Sequence, residues 1–137
     1  MNRISSVISF ALAAGITASA AAHGGGVGDE TVTPVAAAVL PSPANPHAVA
    51  VRVDFPPGGG SPAHTHPGPV FVVVVSGEIE SALDGEAPQR FKAGQAWYEA
   101  PGQVHRVTRN GSKTEPATVV AWIMSDGKAA LVSPVTP

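Results

Sequence analysis

Clusters of proline and glycine cut this chain into pieces too short for ordinary helices, and that punctuation constrains its fold more than any other feature. Pro56-Pro57-Gly58-Gly59-Gly60-Ser61-Pro62, Ala100-Pro101-Gly102 and Asn110-Gly111-Ser112 are such breaks, and the chain carries 15 glycines and 14 prolines in 137 residues. The pieces between them read as strands. Val49, Val51, Val53 and Phe55 alternate with Ala50, Arg52 and Asp54, the period of a half-buried strand. Val70 to Val75 is apolar at every position between Pro69 and Gly77, which predicts a central strand packed on both faces and the most buried of all. Ile79 to Leu83 alternates again and meets a turn at Asp84-Gly85. Gln89 to Lys92, Trp97 to Glu99, His105 to Thr108 and Thr118 to Met124 complete the set. No segment sustains a helical repeat, so the fold class is all-β, a sandwich or barrel of seven or more strands.

The first 22 residues read differently. Arg3 precedes an uncharged apolar run from Ile4 to Ala18, and Ala18-Ser19-Ala20 and Ala20-Ala21-Ala22 offer small-x-small cleavage patterns. This is the layout of a secretory signal peptide, too short in its apolar part to span a bilayer comfortably. The expected organisation is a signal peptide over 1–22, a leader with an edge strand over 23–46 and one barrel domain over 47–137, in a periplasmic or secreted protein with no membrane contact after cleavage. Loss of Arg3 leaves seven basic residues against ten acidic ones, scattered rather than massed, which argues against a nucleic-acid partner. The reading allows a homodimer.

With no cysteine in the chain, any metal must be held by histidine or carboxylate. His64-Thr65-His66 places two imidazoles on one face of an extended segment, and His105, on another strand, is the natural third ligand. An H-x-H pair on its own is equally consistent with two surface histidines beside a proline-rich turn. His47, next to Pro46, reads as a plain exposed histidine, and His23 would lie at or near the mature N-terminus.

The spacing around these histidines resembles the two motifs of the cupin superfamily. The first, G-x5-H-x-H-x3-E-x6-G, is met at Gly58, His64, His66 and Gly77. The second, G-x5-P-x-G-x2-H-x3-N, is met at Gly94, Gly102 and His105. The resemblance covers about residues 48 to 124 and implies an antiparallel jelly-roll barrel with a metal site in its mouth. It departs from the family at one ligand, because the motif glutamate falls at Val70. Proline and asparagine of the second motif fall at Ala100 and Arg109, with Pro101 and Asn110 one place later. Three-histidine sites without the carboxylate occur among cupin-like dioxygenases, so the resemblance still implies a divalent transition metal (Fe, Mn, Ni, Cu or Zn) on His64, His66 and His105.

Glu99 is the candidate substitute. It shares strand parity with Trp97, with Tyr98 on the opposite face. Pointing inward, it would be a ligand or a catalytic general acid/base; pointing outward, it is solvated. Arg109 would share His105's face, and could anchor a substrate carboxylate, only if no bulge intervenes. Two functions fit: a metal-dependent oxygenase or isomerase acting on a small organic molecule, or a non-catalytic periplasmic protein that binds a small molecule or metal.

Overall fold

The computed structural model describes residues 28–136, which form eleven strands and no helix. They are β1 (Thr31–Val39), β2 (His47–Phe55), β3 (Gly60–Ser61), β4 (His64–Thr65), β5 (Val70–Ser76), β6 (Glu78–Leu83), β7 (Gln89–Lys92), β8 (Ala96–Glu99), β9 (His105–Asn110), β10 (Ala117–Ser125) and β11 (Ser133–Pro134). The segment read as a signal peptide lies outside the described residues. All pairings are antiparallel, in two sheets. One has the order β1-β2-β10-β5-β8; the other runs β11-β4-β9-β6-β7, with β3 also on β9.

The inner residues of both sheets build one core, in which Val51, Phe55, Val70, Val72, Val74, Ile79, Val119 and Ile123 are buried. Gly77 makes the passage from β5 in one sheet to β6 in the other. Its φ of +74° suits glycine, and a Cβ there would meet the Ala117 Cβ and the Pro116 carbonyl at 2.7 Å.

Two expectations need correction. The run Val70 to Val75 is not packed on both faces: Val70, Val72 and Val74 are buried, whereas Phe71, Val73 and Val75 are 49%, 40% and 56% exposed. Nothing among the described residues covers the outer side of that sheet, so the strand alternates in burial although not in composition. The second concerns β9. Ala82 pairs with Val107 and Leu83 with His105, so Arg106 is an extra residue in the ladder. This bulge resets the parity: His105, Thr108 and Asn110 are buried, and Arg109 points out to bond Glu80. Arg109 is therefore no anchor inside the barrel.

Candidate metal centre

The three sequence-predicted histidines and Glu99 meet at one end of the barrel. His64 lies on β4 and His66 just beyond it; Glu99 ends β8; His105 opens β9, paired with His64. The turn after β8 is tied to the histidine segment directly, since the Gly102 amide donates to the His66 carbonyl at 2.8 Å. The His64 ring centroid is 4.9 Å from that of His66 and 5.1 Å from that of His105. His66, Glu99 and His105 are buried and His64 is half-buried.

Backbone carbonyls fix the tautomers of the first two rings. His64 Nδ1 is 2.7 Å from the Pro62 carbonyl and His66 Nδ1 is 2.6 Å from the Leu131 carbonyl. A carbonyl can only accept, so each Nδ1 carries the proton and each Nε2 is left with a bare lone pair. His105 is held the other way round, with Nε2 2.8 Å from Ser81 Oγ and 2.9 Å from Thr108 Oγ1. Its Nδ1 lies 3.0 Å from Glu99 Oε1 but off the axis of a hydrogen bond. Glu99 faces inward and Oε1 accepts from Trp97 Nε1 at 2.9 Å, while Oε2 sits 3.5 Å from His66 Nε2.

The arrangement is short of positive charge. Only three buried side-chain polar atoms among the described residues lack a partner, and two of them, Glu99 Oε2 and His105 Nδ1, are here. Glu99 Oε2 faces the bare Nε2 of His66, and a cation between or beside them would satisfy both. His64, His66 and Glu99 each offer one ligand atom, all within 4.8 Å of one another, which suits one metal ion. His105 adds a nitrogen beside Glu99 rather than a member of that closest set.

Electrostatics prepare these groups as ligands. Burial pushes the His64 imidazole down to about 4, assisted by His105 and His66 against the opposing pull of the Pro62 carbonyl and Glu99, so it stays neutral at ordinary pH. Burial alone would raise the Glu99 carboxyl, but His105, the Trp97 N–H and His66 outweigh it and hold it below the usual carboxylate range. Sequence reasoning missed the supports. Ser81 was detectable as a hydroxyl at an inward position between Ile79 and Leu83, whereas the bulge hid Thr108 and the carbonyls of Pro62 and Leu131 leave no mark in side-chain patterns.

A two-sheet antiparallel barrel with histidines and a carboxylate converging in its mouth defines a cupin, and the chain belongs to that family: residues 51–124, more than half of it, match the family described as "Cupin domain". Germin-like protein subfamily 2 member 4 of Arabidopsis thaliana is 33% identical over 75 residues, covering 51% of this chain and 34% of the relative. Member 2 of the same subfamily is 37% identical over 75 residues, with 51% and 33% covered. The chain thus spans about a third of the length of these curated relatives. Among solved structures, the DMSP lyase DddQ from Ruegeria pomeroyi DSS-3 superposes with a TM-score of 0.58 at 25% identity, covering 70% of this chain and 45% of the lyase. An uncharacterized double-stranded β-helix protein from Klebsiella pneumoniae gives 0.54 at 28% identity, with 76% and 85% covered. An oxalate oxidase gives 0.59 at 24% identity, with 77% and 55% covered, a likeness of fold.

Proposed function

We propose that this cupin is a metal-dependent enzyme acting on a small organic molecule, as an oxygenase or isomerase, with His64, His66 and His105 as nitrogen ligands and Glu99 as the carboxylate. One observation carries the reading: Glu99 Oε2 and His105 Nδ1 are buried without hydrogen-bond partners beside the bare Nε2 atoms of His64 and His66. The ion would be Fe, Mn, Ni, Cu or Zn, and when bound it supplies Lewis acidity and, for the redox-active members, electron transfer. The chain's own part is to present neutral imidazoles, to offset one positive charge with Glu99, and to keep Oε1 fixed through Trp97. Oε2, which has no other partner, either binds the ion or, standing off it, takes a proton from a substrate and returns it, the general acid/base role. Val70, buried across the ladder from Glu99, is an apolar wall that restricts water around it. The signal-like leader over 1–22 supports export to the periplasm or beyond.

The test is metal analysis of the purified protein, with quenching of Trp97 followed as metal is added to the chelated form, then assays of dioxygen uptake and isomerisation over a panel of small organic acids, alcohols and sugars. The expected result is about one equivalent of metal per chain and turnover that disappears on chelation. Absence of metal at micromolar concentrations overturns the reading. The burial of His66, Glu99 and His105 favours one second reading, a binding protein that captures a metal or small molecule without turnover; stoichiometric metal with no activity across the panel would select it.

A further inference from the structure

A second concentration of charge lies away from the metal centre, on the outer side of the sheet containing β6, β7 and β9. Ile79 and Ser81 of β6 are buried in the barrel, so Glu78 and Glu80 point outward. The register sets Glu80 between Arg90 on β7 and Arg109 on β9. Arg109 Nη2 bonds Glu80 Oε1, Arg90 Nη1 bonds Glu78 Oε1 at 2.6 Å, and Arg90 Nη2 lies 3.6 Å from Glu80 Oε2. Glu80, Arg90 and Arg109 form one side of a cavity of about 340 Å³, and Gly58, Gly111 and Lys113 close it from the neighbouring turns. That volume falls within the range of small-molecule pockets.

Two features distinguish this cavity from a plain lattice of solvated ion pairs. Its charge is unbalanced: Arg90, Arg109 and Lys113 face only Glu78 and Glu80, and among the described residues neither Lys113 nor Glu115, two residues on, forms an ion pair. Its rim is also fixed in advance. Asn110 is buried, its Nδ2 donates to the Pro56 and Glu115 carbonyls at 3.1 and 2.7 Å, and its Oδ1 accepts from the Ser112 amide at 2.8 Å. Ser112 Oγ accepts from the Thr114 and Glu115 amides, and the Ser112 carbonyl accepts from the Gly58 amide at 2.8 Å. The backbone on either side of Lys113 is therefore ordered before a ligand arrives, which lowers the cost of binding one.

We propose that this pocket binds a phosphate or sulfate group, free or as the ester of a small molecule. The cations come from three elements, β7, β9 and the turn after β9, and so surround the cavity from three sides. A tetrahedral oxyanion presents oxygens in all three directions, whereas a planar carboxylate matches a single guanidinium fork. Glu80 is the one acidic group lining the cavity; its side chain is only 13% exposed, and its two oxygens are turned to Arg109 and Arg90. It orients the two guanidinium groups, each of which has five N–H donors. Arg109 uses only Nη2 on Glu80, so the remainder of its fork is free to donate to an anion. The site is independent of the metal centre: His105 opens β9 on the inner side of the sheet, and Arg109 lies four residues further along it on the outer side.

The experiment is isothermal titration calorimetry on the full chain at low salt, with inorganic phosphate, sulfate, glucose 6-phosphate and glucose as probes. The expected result is one site per chain for the anions, none for glucose, and binding that weakens as salt is raised. Tighter binding of the sugar phosphate than of inorganic phosphate identifies an esterified ligand; equal or weaker binding identifies the free anion. Lys113 is exposed and forms no ion pair, so Lys113→Gln keeps the fold and should raise the dissociation constant at least about fivefold. Arg109→Gln should raise it about tenfold. Lys128→Gln, beyond the far end of β10, should leave it unchanged. Absence of anion binding up to about 10 mM overturns the proposal. So does binding that Lys113→Gln and Arg109→Gln both leave intact, since the anion would sit elsewhere, as on the metal centre. An equal loss in Lys128→Gln overturns it too, because the anion would then respond only to net charge.

Discussion

Val70 and Glu99 are direct partners across the β5–β8 ladder, both buried and both facing the barrel interior. The position where the first cupin motif carries its glutamate therefore faces the position where this chain carries one. Glu99 thus lies across the ladder from that position, at the same end of the barrel.

This relationship predicts exchangeability. Glu99→Gln keeps size and removes charge, and metal affinity should fall 10- to 100-fold by calorimetry. Adding Val70→Glu to that variant should recover most of the loss. Val70→Glu alone should place two buried carboxylates about 5 Å apart at Cβ and destabilise the metal-free chain by about 3 kcal/mol. Unchanged metal binding in Glu99→Gln would leave a plain three-histidine site.

A second prediction concerns the two hydroxyls on His105. Ser81 and Thr108 are cross-strand partners whose oxygens both reach Nε2. Either alone can hydrogen-bond it, so Ser81→Ala should change metal affinity less than threefold. Ser81→Ala with Thr108→Val leaves Nε2 unsatisfied, which costs about 1–3 kcal/mol and frees the ring to turn. Metal affinity should then drop about tenfold. Restoring a hydroxyl as Thr108→Ser in the Ser81→Ala background should rescue it. Equal losses in the single and double variants would show that the hydroxyls do not share this task.

The C-terminal segment enters the site through its backbone. The Leu131 carbonyl holds His66 Nδ1, and β11 pairs with β4 beside His64. Deleting residues 130–137 should weaken metal binding at least tenfold while the two sheets persist, since the buried core draws on residues 51–123. Leu131→Ala retains the carbonyl and removes only a side chain packed at the core's margin. It should lower thermal stability slightly and leave affinity nearly unchanged. An affinity loss in Leu131→Ala as large as in the deletion would assign the effect to packing.

The strands could be read in the sequence because Val49 to Phe55 and Ile79 to Leu83 alternate and because proline and glycine mark their ends. The candidate ligands could be read because H-x-H and strand parity both follow from a two-residue period. What stayed hidden has physical causes. A run such as Val70 to Val75 records that both faces tolerate apolar groups, and only the packed structure tells which face the chain itself covers. The bulge at Arg106 reverses the parity that Arg109 would otherwise share with His105, and no residue type at that position announces it. Glu99 was ambiguous for a related reason. An inward carboxylate is costly in isolation, and the groups that offset the cost, Trp97 and His105, come together only in the fold.

The last prediction follows from the titration of the centre. The His64 imidazole titrates near 4 in the folded chain against 6.5 for a free ring, so folding favours its neutral form. Its contribution to stability is complete above the unfolded value and is lost as pH falls from about 6.5 towards 4. Glu99 is depressed in the fold, so its contribution is present above the ordinary value of 4.5 and is lost as pH falls further, through its folded value. Both signs agree, and the metal-free chain should lose stability steadily from near neutrality into acid. The His64 part amounts to no more than roughly 3 kcal/mol, reduced by the ring's partial exposure to water. Urea unfolding in chelator at a series of pH values measures it. His64→Leu should flatten the curve between about 6.5 and 4 and leave in place the lower limb, to which Glu99 contributes with the likewise depressed Asp54 and Asp126. A wild-type chain equally stable at pH 7 and pH 4.5 would contradict the neutral, buried His64 on which the metal centre depends.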